Sequence, residues 1–465
     1  SYFHRVAPAV VAKELMAVVA RSASTGRTFY FPPSAITDAA PDDNHLRARI
    51  TALLQSVGRS SPDAPILEDA KSSCWCRLYG IDAFSKLYLP RQFLCLLALS
   101  ETIRRARKSM EYGHIERSAA VATYLALAVD RVANYSTTLC VWRTTRTCVL
   151  PTFSRQALPM AWDFGEMNPF CGSAGDWGES VDHISSAVAE CAACLPLASV
   201  QRGSATDIPW PPNCVDAVIT DPPYYDNVFY ANLADFFYIW LRHIVGDLYP
   251  DHFPSGATPK RAELVADACR HKGDKDRSKA YYEEMMQKAF TEADRLLKPG
   301  GAVCVVYAHK TTLGWATLVD ALRRAGNQVT EAWPIDTEMA GGMRTGRANL
   351  ASSIFLVARK RDGAATGRFE DHQVEDQERK GETIAVKGIR TDLEDIVRER
   401  VATLWEMGIS GADLVIACVG AGLRAFTRFA RVEYANGEEV PAERFLTEVE
   451  TVVLETILAR LSKEV

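Results

Sequence analysis

Apolar residues recur every three or four positions in the first third of the chain and again near its end, which is the spacing of one helix face. This spacing predicts helices over residues 11–19, 44–57 and 79–133, and a largely helical stretch over residues 391–465. A short β-branched and aromatic run at residues 28–31 predicts a strand between the first two helices.

Residues 155–361 follow a different pattern, in which short β-branched runs alternate with amphipathic segments and glycine turns. Strands are predicted over residues 214–220, 302–307, 328–333 and 353–359, and helices over residues 228–245, 281–297 and 315–325. The Lys-Pro-Gly-Gly sequence at 298–301 is expected to end the second of these helices. This order predicts an α/β layer fold with a parallel sheet and one reversed edge strand.

The chain is long enough to need more than one hydrophobic core, because its 465 residues exceed what a single core usually organises. The pattern divides it into a mixed α/β segment (1–78), a helical region (79–154), an α/β core (155–361), a polar, charged linker or loop (362–390) and a helical C-terminal region (391–465).

Composition narrows the class of protein. With 48% hydrophobic and 24% charged residues, the chain is neither mostly disordered nor fibrous. Its net charge of −5 excludes a protein that coats nucleic acid by bulk positive charge, although one basic cleft remains compatible with it. No apolar run reaches the roughly 18–20 residues of a membrane span, and the first residues lack a secretory pattern. We therefore expect a cytoplasmic protein without a membrane partner.

The number and spacing of the cysteines also indicate a cytoplasmic protein. Twelve cysteines are too few for a disulfide scaffold in a chain of this length. The close pairs, Cys74 with Cys76 and Cys191 with Cys194, lack the second pair that a zinc ribbon requires. We expect structural thiols in a reducing compartment and no metal site.

The sequence Asp221-Pro222-Pro223-Tyr224 directly follows the first predicted strand of the α/β region. Open α/β sheets bind their ligands beyond the carboxyl ends of strands. These residue types suit methylation of an amino group on an aromatic ring, because a carboxylate and a carbonyl can accept its two hydrogens. Proline fixes the backbone that carries the Pro222 carbonyl, and Tyr224, with Tyr225 beside it, offers a flat face to an extruded base.

A simpler interpretation is a Pro-Pro turn with a helix-capping aspartate. Against it stands a second feature, since Asp207 and Ile208 precede the strand by one strand-length and suit a loop that holds the adenine of S-adenosylmethionine. The sequences Val-Ile-Thr-Asp-Pro-Pro-Tyr-Tyr (218–225) and Leu-Leu-Lys-Pro-Gly-Gly (296–301) together resemble the amino-group methyltransferases that act on nucleic acid.

Further stretches resemble one group of large adenine-specific DNA methylases of bacteria and archaea: residues 79–92, 162–170 and 411–414, within a resemblance that covers roughly residues 15–455. The resemblance implies a Rossmann-like methyltransferase sheet, S-adenosylmethionine as cofactor and DNA as partner. Asp221 and the Pro222 carbonyl would hold the adenine amine, within the motif completed by Pro223 and Tyr224, and Asp207 and Ile208 would contact the cofactor. Nucleic-acid contacts would come from Tyr225, Lys310, Arg344 and Arg347. A solvated strand end explains Lys310 more simply, and an ordinary polar loop explains Arg344 and Arg347 equally well.

One departure from the family concerns the glycine turn, Phe-x-Gly-x-Gly, through which such enzymes bind the cofactor after their first strand. The nearest match, at residues 170–175, follows Asn-Pro rather than a strand and is better explained as a structured turn. We therefore expect an incomplete sheet, either in the C-terminal portion of a longer enzyme or in a chain whose partner supplies the glycine loop. Cofactor binding and turnover by this chain alone should be weak or absent.

The motif leaves the acceptor open between adenine, cytosine and an RNA base, and a non-catalytic nucleic-acid-binding or assembly subunit remains an alternative.

Two other features of the sequence allow two interpretations each. The aromatic residues at helical spacing within 228–245 predict core packing rather than a base-binding surface. A basic cluster on one predicted helix, Arg104, Arg105, Arg107 and Lys108, suits either DNA or an ordinary charged helix face.

Overall fold

The computed structural model describes residues 14–22, 24–35, 42–69, 74–111, 114–193, 198–307, 312–336, 352–363, 365–375, 383–409 and 411–464. The chain forms two compact units. Unit 1 comprises Ser1–Val200, Val228–Glu263 and Asp267–Gly273, and unit 2 comprises Gln201–Asn227, Leu264–Ala266 and Asp274–Val465. The predicted α/β core at 155–361 is therefore shared between the two units, because its first helix after the tetrapeptide packs in unit 1.

Unit 1 is mainly helical. Its helices are α1 (Asp43–Val57), α2 (Cys74–Leu78), α3 (Pro90–Met110), α4 (Ile115–Asn134), α5 (Trp177–Ala192) and α6 (Tyr230–Val245). Its strands form two hairpins, β1 (Val18–Arg21) with β2 (Thr28–Phe31), and β3 (Trp142–Arg143) with β4 (Cys148–Val149). The helix predicted at 44–57 and the strand at 28–31 are confirmed, and the stretch 79–133 is helical from Pro90, where α3 begins.

The helix predicted at 11–19 is wrong where the structure describes it. Val18 and Val19 instead begin β1, which pairs antiparallel with β2. Both residues are β-branched, and such side chains lose less freedom on a pleated strand than in a helix. Residues 11–13 lie outside the described residues.

The aromatic stripe of α6 is core, as predicted. Phe236 and Trp240 are completely buried among α3 and α4, and the Trp240 indole donates a hydrogen bond to the Tyr88 hydroxyl at 3.1 Å. These rings fill space inside unit 1 and offer no face to a base.

The basic cluster on α3 is neither a DNA-binding surface nor an ordinary charged helix face in all four of its residues. Arg104 and Arg107 are buried and pair with the Asp247 carboxylate, with Arg107 Nη2 2.5 Å from Asp247 Oδ2. Burial by itself would raise the pKa of Asp247, but the hydrogen bond from Arg107 and the charges of both arginines lower it to about 2. Two of the four cations therefore stabilise the fold, because a buried guanidinium needs a partner of opposite charge.

Unit 2 is a mixed α/β unit. Its strands are β5 (Val215–Thr220), β6 (Leu297–Tyr307), β7 (Asn327–Asp336), β8 (Ser352–Lys360), β9 (Thr366–Arg368), β10 (His372–Glu375), β11 (Thr383–Val386) and β12 (Arg431–Glu433). Its helices are α7 (Lys275–Leu296), α8 (Thr312–Arg324), α9 (Ile389–Glu406), α10 (Gly411–Thr427) and α11 (Ala442–Glu464). In the described part of the chain, no helix is long and apolar enough to cross a membrane.

The main sheet has the strand order β5-β6-β8-β7. β5 and β6 are parallel, and β8 runs antiparallel to both β6 and β7. The reversed strand is thus internal, and the prediction of a reversed edge strand is wrong. Ile354, Leu356 and Ala358 of β8 are almost completely buried, and such a strand gains most from a neighbour on each side.

The helix ends just before Lys-Pro-Gly-Gly at 298–301, as predicted, but these four residues belong to the following strand. α7 ends at Leu296, β6 begins at Leu297, and the four residues bulge out within the strand, since β5 pairs first with Leu297 and then with Ala302. Gly300 has a φ of +78°, which a glycine adopts without strain.

Helices cover one face of the main sheet, whereas large apolar side chains on the other face are exposed. On one face, side chains such as Val303 and Leu356 are buried in a single core with residues of helices α7–α11. The opposite face is apolar but open, because Ile219 is 74% exposed and Trp333 and Ile335 are each 45% exposed. Within the described residues, no strand pairs with the outer edge of β5. A sheet with parallel strands is normally covered on both faces.

Candidate active site at the carboxyl end of strand β5

The tetrapeptide forms a tight turn where β5 ends at Thr220. Pro222 is buried and Pro223 half-buried, so the turn leaves the strand with its backbone packed against the unit rather than free in solvent. Tyr225, directly after the tetrapeptide, has a φ of +52°, a left-handed conformation that is uncommon for a residue with a side chain. The backbone therefore reverses sharply within five residues of the strand.

Asp221 is exposed, and one of its two carboxylate oxygens is oriented by a neighbour. The Tyr224 hydroxyl donates a hydrogen bond to Asp221 Oδ1 at 2.7 Å. The second oxygen of Asp221 has no hydrogen-bond partner within the described residues. The carboxylate is thus held in one orientation and keeps one acceptor for a ligand.

Tyr224 lies in a row of aromatic rings at the carboxyl edge of the sheet. Its half-buried ring meets Tyr307, at the end of β6, edge to face with 5.2 Å between the ring centroids. Tyr307 in turn packs on Trp315 of α8 at the same separation. Tyr224 is therefore fixed at both its ring and its hydroxyl.

The turn also presents a backbone acceptor. In the described structure, the Pro222 carbonyl has no hydrogen-bond partner, whereas the Pro223 carbonyl accepts a hydrogen bond from the Tyr282 hydroxyl of α7. Sequence reasoning missed Tyr282, because its position on a predicted helix face indicates packing and nothing more. Among the described residues, one carboxylate oxygen of Asp221 and the carbonyl oxygen of Pro222 thus have no hydrogen-bond partner.

Asp207 and Ile208 do not lie with the tetrapeptide. The Ile208 N–H donates to Glu292 Oε1 at 2.8 Å, and the Ile208 carbonyl accepts from Arg295 Nη2 at 2.9 Å. Both partners are on the last turn of α7, which adjoins the amino end of β5, whereas Asp221 follows the carboxyl end. The structure therefore places the predicted cofactor residues and the tetrapeptide at opposite ends of one strand.

The hydrogen bond from Arg295, with that from the Ile208 N–H, lowers the pKa of Glu292 to about 2. The stabilisation that follows is fully present above the ordinary pKa of 4.5 and is lost as the pH falls towards 2. We expect Glu292→Gln to lower the midpoint of thermal unfolding by roughly 1–2 °C at pH 7, and the difference from wild type to shrink at pH 3. Thermal unfolding followed by circular dichroism at both pH values measures this. An undiminished difference at pH 3 would contradict it.

The glycine cluster at residues 170–175 forms the turn that begins α5 in unit 1. The Gly172 N–H donates to the Asp176 carboxylate, and the Gly175 N–H donates to Glu179 Oε2 at 2.9 Å. A Cβ at Gly175 would lie 2.2 Å from the Tyr135 ring. These N–H groups are occupied by carboxylates, so the cluster is a helix-capping turn and offers no cradle for a cofactor.

Most of the residues predicted to contact nucleic acid are not among those that the structure describes. Lys310, Arg344 and Arg347 lie outside the described residues. Tyr225 is half-buried, and its ring packs edge to face on Tyr282 at 5.1 Å. Tyr225, like Tyr224, is therefore partly buried against the core of unit 2.

One cavity of unit 2 lies away from the tetrapeptide. A cavity of about 650 Å³ in unit 2 is lined by α7, α8 and residues 439–443, and does not include the tetrapeptide. Among the described residues, no group of three or more histidine, cysteine, aspartate or glutamate side chains could hold a metal ion; Cys191 is exposed, and Cys194 is not described. Asp221 itself is exposed at the carboxyl end of β5.

No protein-family model matches this chain, and no curated protein or solved structure is significantly similar to it.

Proposed function

We propose that this chain carries the amine-binding half of an S-adenosylmethionine-dependent methyltransferase that methylates the exocyclic amine of adenine in DNA. The observation that carries the proposal is the pair of free acceptors at the carboxyl end of β5. Tyr224 orients one carboxylate oxygen of Asp221, and neither the other oxygen nor the carbonyl of the buried Pro222 has a hydrogen-bond partner among the residues that the structure describes.

The chemistry of such an amine explains why two acceptors are useful. The lone pair of an amino group on an aromatic ring is delocalised, so the nitrogen is a weak nucleophile. Acceptors placed on both of its hydrogens favour a pyramidal nitrogen whose lone pair is available. Asp221 and the Pro222 carbonyl would hold the two hydrogens, and the half-exposed Tyr224 ring would stack on the extruded base. The positioning of the amine is then this chain's contribution.

The order of elements supports a Rossmann-like sheet of which the described residues form only part. β5, α7 and β6 form a parallel βαβ unit, and the excursion into unit 1 is inserted between β5 and α7. The open outer edge of β5 and the exposed apolar face around Ile219 are the places where further strands and helices of such a sheet would pack. We infer that another polypeptide segment supplies them, together with the glycine loop.

The described residues do not fit S-adenosylmethionine by themselves. The N–H groups of the glycine cluster are occupied by carboxylates, and Ile208 is bound to α7 at the other end of β5. The cofactor would supply the methyl group, but no contact to it can be assigned to these residues. The missing segment would have to bind it next to the Asp221 turn.

The same misfit favours one rival, a nucleic-acid-binding or assembly subunit whose catalytic centre is vestigial. The methyltransferase and the binding subunit are distinguished by incubating the chain with S-adenosylmethionine and DNA, both alone and after co-expression with the genes that flank its own. We expect no micromolar cofactor binding by the chain alone in calorimetry, and N6-methyladenine in DNA only with the co-expressed partner.

Nucleoside mass spectrometry on duplex DNA and on transfer RNA identifies the methylated base. N4-methylcytosine or a methylated RNA base would change the acceptor and keep the chemistry. The absence of any methylated base would favour the binding subunit, and micromolar binding of the cofactor by the chain alone would contradict the inferred partner.

A further inference from the structure

Tyr282 of α7 contacts the backbone of the tetrapeptide turn at two points. Its hydroxyl donates a hydrogen bond to the Pro223 carbonyl at 2.5 Å and accepts one from the Tyr225 N–H at 3.0 Å. The side chain is 1% exposed, so water does not compete for either bond. One buried hydroxyl therefore bridges the two residues on either side of Tyr224.

The bridged backbone is one that needs support. Tyr225 has a left-handed φ of +52°, which a residue with a Cβ adopts at an energetic cost and keeps only when its surroundings hold it. The Tyr225 carbonyl also accepts a hydrogen bond from the Ala266 N–H at 3.0 Å, and its ring packs on that of Tyr282. The Tyr282 hydroxyl adds two side-chain hydrogen bonds to the backbone of this part of the turn.

Tyr282 reinforces a contact that the backbone already makes. The Pro223 carbonyl accepts hydrogen bonds from both the Tyr282 hydroxyl and the Tyr225 N–H, the latter at 3.1 Å, whereas the Pro222 carbonyl has no partner in the described structure. Burial raises the pKa of Tyr282 far above the neutral range, so the hydroxyl keeps the proton that this bond requires.

We propose that Tyr282 is a positioning residue, whose hydroxyl fixes the turn so that the Asp221 carboxylate and the Pro222 carbonyl address the same amine. The inference rests on the proposed methyltransferase function. It assigns Tyr282 no contact with substrate or cofactor. Its effect should therefore fall on the rate of methyl transfer and not on DNA binding.

Tyr282→Phe removes the hydroxyl and keeps the ring. Tyr238→Phe is the matched control, because Tyr238 is also buried and also donates one hydrogen bond to a backbone carbonyl, that of Ser255 at 2.9 Å in unit 1. Both variants should lose similar thermal stability. We expect Tyr282→Phe, measured with the co-expressed partner, to lower kcat about tenfold with an unchanged KM for DNA, and Tyr238→Phe to change neither.

Hydrogen exchange measured by mass spectrometry on the chain alone gives a readout that does not depend on methylation. In Tyr282→Phe, amides in the peptide 221–227 should exchange faster, while the control leaves them unchanged. A wild-type kcat in Tyr282→Phe, or a raised KM with unchanged kcat, would overturn the inference. If the wild-type assembly transfers no methyl group, the proposed function fails. In that case, unchanged hydrogen exchange in Tyr282→Phe also overturns the positioning role. Faster exchange would instead show that Tyr282 holds the turn, although the turn has no catalytic role.

Discussion

Asp221→Asn should lower kcat for methyl transfer by about 10²-fold to 10³-fold in the assembly with the co-expressed partner. The Tyr224 hydroxyl, which donates to Asp221 Oδ1, would donate in the variant to the oxygen of the new amide. That leaves the NH₂ group facing the substrate amine, so two donors would meet where an acceptor is needed. The KM for DNA should change little, because the lost interaction acts on one amine.

Asp216→Asn is the matched control for this substitution. Asp216 lies on the same strand, has an 87% exposed side chain and pairs with Lys298 at 2.8 Å, away from the tetrapeptide. It should leave kcat and stability close to wild type, as surface substitutions usually do. Initial rates with radiolabelled S-adenosylmethionine and a DNA duplex measure both variants. A kcat for Asp221→Asn within about threefold of wild type would remove the carboxylate from the mechanism.

The sequence located the turn because two strong local signals coincide there. An apolar β-branched run fixes β5, and consecutive prolines cannot continue a strand, so Asp221 had to follow its end. Which other residues meet at that end is a tertiary question. Tyr282 reaches the turn from a helix 57 positions along the chain, and no local pattern distinguishes it from other buried tyrosines.

Other predictions met the same limit. Asp207 and Ile208 were linked to the cofactor by residue type and spacing, but hydrogen bonds with Glu292 and Arg295 hold Ile208 at the amino end of β5. Helical spacing on α6 correctly predicted a buried face, yet spacing does not say against what, and α6 packs in unit 1. Spacing likewise cannot reveal that Arg104 is buried beside Asp247.

The open face of the main sheet leads to the prediction that bears most directly on the inferred partner segment. Ile219 is 74% exposed on β5, whose outer edge pairs with no strand of the described structure. A large apolar side chain in such a place is typical of a surface that another polypeptide covers. Ile219→Glu should therefore leave the stability of this chain within about 0.5 kcal/mol of wild type, because the substitution is at an exposed position.

In the assembly, the same substitution would bury a charge without a partner, at a cost of several kcal/mol. We expect Ile219→Glu to weaken association with the co-expressed segment at least about 10²-fold and to abolish methylation. Ile115→Glu is the control, since Ile115 is 71% exposed at the start of α4 in unit 1. Co-purification and methylation assays on both variants measure the difference. If Ile219→Glu associates and methylates as well as Ile115→Glu, this face is not where the missing strands and helices pack, and the cofactor-binding segment must reach Asp221 by another route.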